Sequence, residues 1–150
     1  MRWAVEQDYD DLAEIMFAAI HATPSPYSEA ERAAWRTVSP SGEEWNNRLL
    51  EQAVIIAEVG PKPLGFMSLR NDGYIDLAFI LAEARGQGLF RQLYAQLENK
   101  ARKDGMSHLT THASLSAEGP FLSVGFVITD FEAVIVGGQT LRRTAMEKHI

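Results

Sequence analysis

Residues 74–103, YIDLAFILAEARGQGLFRQLYAQLENKARK, decide the fold. Tyr74 to Ile80 is apolar and β-branched enough for a buried strand, broken only by Asp76. A short loop carrying Arg85-Gly86-Gln87-Gly88 follows and empties into a long amphipathic helix. Leu89, Leu93 and Leu97 recur every fourth residue, Tyr94 and Ala101 widen the stripe, and Gly105 is placed to stop the helix. The first turn of a helix exposes unpaired N–H groups and the positive end of the dipole, so acids ordinarily gather there. Between Glu83 and Glu98 this chain has none, but it has Arg85 and Arg91. Two cations at a positive helix end predict an anion, such as a phosphate, between them. A glycine turn joining strand to helix, with arginines that only solvate, is the plainer alternative from these residues alone.

Working outward, three antiparallel strands lead into that loop. Val54 to Ala57 and Leu64 to Leu69 read as strands, with a turn at Pro61-Lys62-Pro63 and a hairpin signal at Asn71-Asp72-Gly73. Upstream, Arg2 to Val5 predicts a short strand. Asp8 is set to cap a helix whose apolar face is Leu12, Ile15, Met16 and Ala19. Thr23-Pro24-Ser25-Pro26 ends that helix. Ser28 with Glu31, and Ser41 with Glu44, have capping-box spacing for two further helices carrying Trp35 and Trp45. The tryptophans are packing anchors or walls of a ligand pocket. Downstream, Ser107 to Ala113 is a strand reached by a parallel crossover, and Ala117 to Val124 holds a short helix. Phe126 to Val136 and Thr140 to Lys148 form a hairpin around Gly137-Gly138. These elements make an α+β fold with a mixed sheet, in one domain over residues 1–150.

Composition narrows the function. The chain is 46% apolar and 23% charged, as a soluble globular domain is. A net charge of −6 argues against a nucleic-acid partner, which needs a basic face. The absence of cysteine excludes disulfides, thiolate zinc sites and a cysteine nucleophile. No apolar run is long enough to cross a bilayer, and the acidic N-terminus is unlike a signal peptide, so no membrane partner and a cytoplasmic location are expected. No metal is expected: His108 and His112 lie about 13 Å apart along a strand, too far to share one ion. HExxH, P-loop and GxSxG motifs are absent. Antiparallel strands before the glycine loop, and Arg91 at the third glycine position, disfavour a dinucleotide fold.

The order of elements, with Arg85-Gly86-Gln87-Gly88-Leu89, resembles the GCN5-related N-acetyltransferase superfamily and its small stand-alone bacterial branch. Tyr27-Ser28 with Ala34-Trp35, Tyr74-Ile75-Asp76 with Phe79-Ile80, Gly125-Phe126 and Met146-Glu147-Lys148 extend the likeness over nearly the whole chain. The resemblance implies a mostly antiparallel sheet of about seven strands flanked by helices, with a splay between the fourth and fifth. It implies acetyl-CoA as co-substrate and a small-molecule primary amine as acceptor, joined by direct attack of the amine on the thioester. A homodimer fits equally.

The coenzyme positions it implies are Phe79, Ile80 and Leu81 along the pantetheine arm, and Arg85, Gly86, Gln87, Gly88, Leu89, Phe90 and Arg91 at the diphosphate. Ser114 and Phe121 lie opposite. Phe90 stands where the signature has glycine or alanine, Leu81-Ala82 replaces His-Pro, and Phe121 replaces a tyrosine that protonates the thiolate. Those departures keep a non-catalytic acyl-CoA-binding or regulatory module open as the alternative. His112, on one strand face with Thr110 and Ser114, and Asp76 are candidates to take the ammonium proton, and Tyr27 to touch the acceptor.

Overall fold

The computed structural model describes residues 1–150. Strand β1 (Arg2–Trp3) precedes helices α1 (Tyr9–His21), α2 (Glu29–Trp35) and α3 (Gly42–Leu50). Strands β2 (Ala53–Val59), β3 (Lys62–Leu69) and β4 (Tyr74–Ile80) follow, then α4 (Leu89–Lys103), β5 (His108–Ser114), α5 (Glu118–Ser123), β6 (Val127–Val136) and β7 (Gln139–His149). The strands form one seven-stranded sheet in the order β1-β2-β3-β4-β5-β7-β6. Every pairing is antiparallel except β4 with β5. The expected mixed, mostly antiparallel sheet is therefore present. No helix is long and apolar enough to cross a membrane.

Each sheet face carries its own core. Leu93, Tyr94, Leu97 and Ala101 of α4 pack with Ile55, Met67, Ile75, Leu109 and Met146. Leu12, Ile15 and Met16 of α1 pack with Trp45, Leu49, Ile56, Phe66 and Leu77 on the other face. Full burial of a leucine such as Leu93 or Leu97 contributes about 1.5–3 kcal/mol. Lys148 crosses beneath Gly125, where a Cβ would come within 3.1 Å of Lys148 Cε. Its ammonium reaches Glu98 and the Val124 carbonyl, each at 2.7 Å. Burial raises the Glu98 carboxyl, but the bonds from Lys148 and Tyr94 outweigh it and hold it below the usual range.

Local differences from the sequence reading have physical causes. The first strand stops at Trp3 because the Asp8 carboxylate accepts the Val5 N–H (2.8 Å) and two Arg2 bonds, which folds residues 6–8 into a 3₁₀ turn. Asp8 thus serves Val5 and Arg2 and makes no cap bond to α1. Ser28 and Glu31 exchange both capping-box bonds (2.8 and 3.1 Å), whereas the Ser41 hydroxyl makes none. The third strand begins at Lys62, inside the expected turn.

Candidate active site

The seam between β4 and β5 closes at one end only. Tyr74 and Ile75 pair with Thr110 and Thr111, and no further pair forms. Beyond that point β4 pairs only with β3, and β5 only with β7. A β-bulge at Asp76 decides what the open part offers, because β3 skips one residue of β4 between Ser68–Leu77 and Leu69–Ile75. Before the bulge, Gly73 and Ile75 carbonyls accept from Thr110 N (3.0 Å) and Thr111 Oγ1 (2.9 Å), so odd residues face β5. After it, Leu81 N donates to Leu64 O (2.9 Å), so odd residues face β3. Alternation then turns the main-chain groups of Ala78 and Ile80 into the gap.

The gap is a cavity of about 260 Å³. Ala78, Phe79 and Ile80 form one wall, Ser114, Ser116 and Ala117 face them, and Arg85, Gly86, Gly88, Leu89 and Phe90 stand at the mouth. Tyr27, Trp35 and residues of the Pro24-Ser25 segment close the side towards α1 and α2.

The mouth gathers free hydrogen-bond donors. Gly86 (φ +77°) and Gly88 (φ +79°) take left-handed conformations that only glycine adopts without strain. Gly88 caps α4 with no side-chain bond, and the first turn holds no acid. The N–H groups from Gly86 to Arg91 have no acceptor within the chain. Neither Arg85 nor Arg91 has a carboxylate partner. Arg85 donates to the Ala19 carbonyl (3.3 Å) and Arg91 to that of Ser123 (3.1 Å). Such a row of free donors at a positive helix end suits a diphosphate.

Phe90 leans inward, half-buried, with its ring edge-on to Phe121 at 4.9 Å, while one side still lines the cavity. The ring thus packs against the core while Gly86 and Gly88 line the cavity beside it.

The remaining predicted residues are dispersed. Leu81 packs with the α1-side core, Phe121 is buried behind Phe90, and Gln87 and Arg91 stay outside the cavity lining. Tyr27 contributes its ring to the cavity, but its hydroxyl is already engaged. It donates to Arg142 O (2.6 Å) and accepts from Leu115 N (2.9 Å). Burial raises its pKa, against the bond from Leu115. Trp45 is a core anchor whose Nε1 donates to Tyr9 O (2.8 Å), whereas Trp35 lines the cavity 6.1 Å from the Phe79 ring.

Neither proton-acceptor candidate lines the cavity. Asp76 receives two bonds from Arg48 (2.8 and 3.0 Å) and one from Gln52 (2.8 Å), near the closed end. Burial raises its carboxyl, but those bonds outweigh burial and hold it below the usual range. His112 Nδ1 bonds the Tyr74 hydroxyl (2.8 Å), and its Nε2 lies 3.5 Å from Glu132. Sequence reasoning missed Ser116, Pro24, Ser25 and the Ala19–Ile20 end of α1 as lining residues. Only Pro24 and Ser25 carried any signal, as the break after a helix.

A model of the acetyltransferase (GNAT) domain matches residues 23–149. The uncharacterized N-acetyltransferase YafP of Escherichia coli K12 is 31% identical over 120 residues, 79% of this chain and 75% of that protein. A structure described as a GCN5-related N-acetyltransferase, "Aminotransferase, Class-II", from Rhodopseudomonas palustris is 29% identical with a TM-score of 0.91. The match covers 99% of this chain and 94% of that one. The PaiA N-acetyltransferase of Thermoplasma acidophilum, solved in complex with coenzyme A, shares the fold at TM-score 0.74 and 17% identity, over 99% of this chain and 97% of its own.

Proposed function

Because this chain belongs to the GNAT acetyltransferase family, we propose that it moves an acetyl group from acetyl-CoA to the primary amine of a small molecule. The observation that carries this reading is the row of unpaired N–H groups from Gly86 to Arg91 at the mouth of the open seam. Those donors, with Arg85, hold the diphosphate. The gap-facing main chain of Ala78 and Ile80 lies along the pantetheine arm as an unpaired strand edge. Ser114 and Ser116 offer hydroxyls from across the gap. Two structures that share the fold, PaiA of Thermoplasma acidophilum solved with coenzyme A and yncA of Salmonella typhimurium solved with acetyl-CoA, support the choice of cofactor.

The coenzyme supplies a thioester whose carbonyl carbon takes the amine lone pair as the thiolate departs. The chain contributes three things. It aligns the two reactants in a narrow cavity. It presents the Ile80 or Ala78 N–H to the carbonyl oxygen as negative charge develops. It excludes bulk water with the Tyr27, Trp35 and Phe79 rings. The lining holds no carboxylate and no imidazole, so the ammonium proton leaves to solvent at the open mouth and the departing thiolate takes its proton from the same solvent. The Tyr27, Trp35 and Phe79 rings give the side towards α1 and α2 an apolar wall, which favours a small amine with an apolar body.

Phe121 stands where the family resemblance implies a tyrosine, and its buried ring offers no proton to the thiolate. That observation favours a second reading, a coenzyme-binding module without turnover. Thiol release from acetyl-CoA over a panel of primary amines separates the two. Turnover well above the amine-free rate supports the enzyme. Tight coenzyme binding with no turnover supports the module, and calorimetry showing no binding removes both.

A further inference from the structure

At the end of the sheet where β5 begins and β7 finishes, His108, Glu147 and His149 lie side by side. Strand register produces the cluster. His108 is directly opposite His149, and Glu147 is opposite Thr110. Spacing of two puts Glu147 and His149 on one face of β7, diagonal to His108. The two imidazoles stack face to face at 4.5 Å with planes 19° apart, so each ring must turn for both nitrogen lone pairs to converge on one point. His108 Nε2 is 2.8 Å from Glu147 Oε2, and His149 Nε2 is 3.9 Å from Glu147 Oε1. One nitrogen or oxygen from each residue lies within 4.8 Å of the others.

We propose that His108, Glu147 and His149 form a binding site for a divalent transition ion of the zinc type, separate from the acetyl-transfer site. Two imidazoles and a carboxylate are a donor set that zinc, nickel and copper favour over magnesium or calcium. Zinc bonds of about 2.0–2.2 Å put tetrahedral ligand atoms roughly 3.3–3.5 Å apart. The present separations are 2.8 Å from His108 to Glu147 Oε2 and 3.9 Å from His149 to Glu147 Oε1, with one donor atom of each residue within 4.8 Å of the others, so the three donors draw together on binding. All three side chains are partly exposed, so the rings can unstack and turn onto an ion without disturbing either core. Three protein ligands leave the fourth position to water. The ion ties the C-terminal end of β7 to the start of β5. Neither histidine lines the cavity, so the proposal stands independently of the acetyl-transfer reading.

The test uses the full chain stripped of metal by a chelator and dialysed. Zinc is then titrated against a chromophoric competitor, and cobalt absorption reports the coordination. One equivalent of zinc is expected, with a cobalt spectrum typical of four-coordination and a zinc-dependent rise in melting temperature. Loss of a group that only hydrogen-bonds to a ligand weakens metal sites by about 10–100-fold, so zinc affinity of H108A/H149A falls at least tenfold. H149A alone does the same, and because His149 is largely exposed near the chain end it tests the site without threatening the fold. His21 and His112 persist in the double variant. Equal zinc uptake by wild type and double variant, or no uptake by the wild type, would overturn the proposal.

Discussion

At Tyr74 and Ile75, β4 lies in register against β5, and the surroundings are polar and engaged: Arg48 and Gln52 hold Asp76, and Tyr74 holds His112. At Ala78 to Ile80 the same strand has no partner on that side, and what surrounds it is apolar and hollow. The difference arises within one residue, the extra Asp76 of the bulge, which reverses which main-chain groups look towards β5. A sheet can thus keep one end of a seam zipped for stability and unzip the other to expose a strand edge. The polar side chains that looked chemical stand at the zipped end, and the donors that can act on a ligand are backbone groups at the unzipped end.

The sharpest way to break that division is Gly88→Trp. Gly88 has φ +79°, and its Cβ position is open, with only Gln92 Nε2 as near as 4.0 Å. An indole there fills the loop mouth, and the left-handed backbone costs roughly 1–2 kcal/mol. Coenzyme A affinity by calorimetry should fall about 100-fold or more, as several charge-assisted bonds are lost together, while the far-UV spectrum is kept. Unchanged affinity would move the anion site away from the open end.

Asp76→Asn tests the closed end. It leaves Arg48 without its carboxylate, at about 1–3 kcal/mol of unfolding free energy, below a fully buried pair because the guanidinium is partly in water. The sign of its pH dependence follows from the lowered carboxyl. Its stabilisation is fully present above the ordinary carboxylate pKa of about 4, and is lost as pH falls through the lower folded value. The stability gap between wild type and variant should therefore be flat near neutrality and shrink below about pH 4. A variant of wild-type stability with a collapsed kcat would instead bring Asp76 into the chemistry.

Phe90→Ala probes the border. Its ring both packs edge-on against Phe121 and lines the cavity. Truncation should cost about 1–3 kcal/mol, less than a fully buried phenylalanine, and should leave coenzyme affinity equal or tighter. Weaker binding would show that the ring is part of the grip.

How much of this was legible in the sequence follows the same division. The α4 stripe, the glycine loop and the missing acids announced the open end, because helix periodicity and dipole chemistry are local. The capping box of Ser28 and Glu31 was local too, and it formed. What failed to show were facts of pairing. Nothing near Asp76 says that it bulges, or that Arg48, on a helix 28 residues earlier in the chain, will claim it. Nothing near His108 says that β7, and not β6, will lie beside β5 and deliver His149. Period-two alternation correctly grouped His112 with Ser114, but only Ser114 lies far enough along β5 to reach the open gap.

His112→Gln is the finest probe, because it asks whether the two ends communicate. The imidazole is bonded to the Tyr74 hydroxyl and lies 3.5 Å from Glu132, outside the cavity lining. Glutamine keeps a hydrogen-bonding group of similar reach but cannot titrate. If the closed end is structural, kcat and KM should each stay within about threefold, and the pH profile of kcat/KM should keep its shape, since no proton is routed through the ring. A lost acidic limb with unchanged stability would mean that the Tyr74–His112 pair draws the proton out along the seam. The zipped end would then be part of the machinery, and the separation between the two ends would hold for binding but not for catalysis.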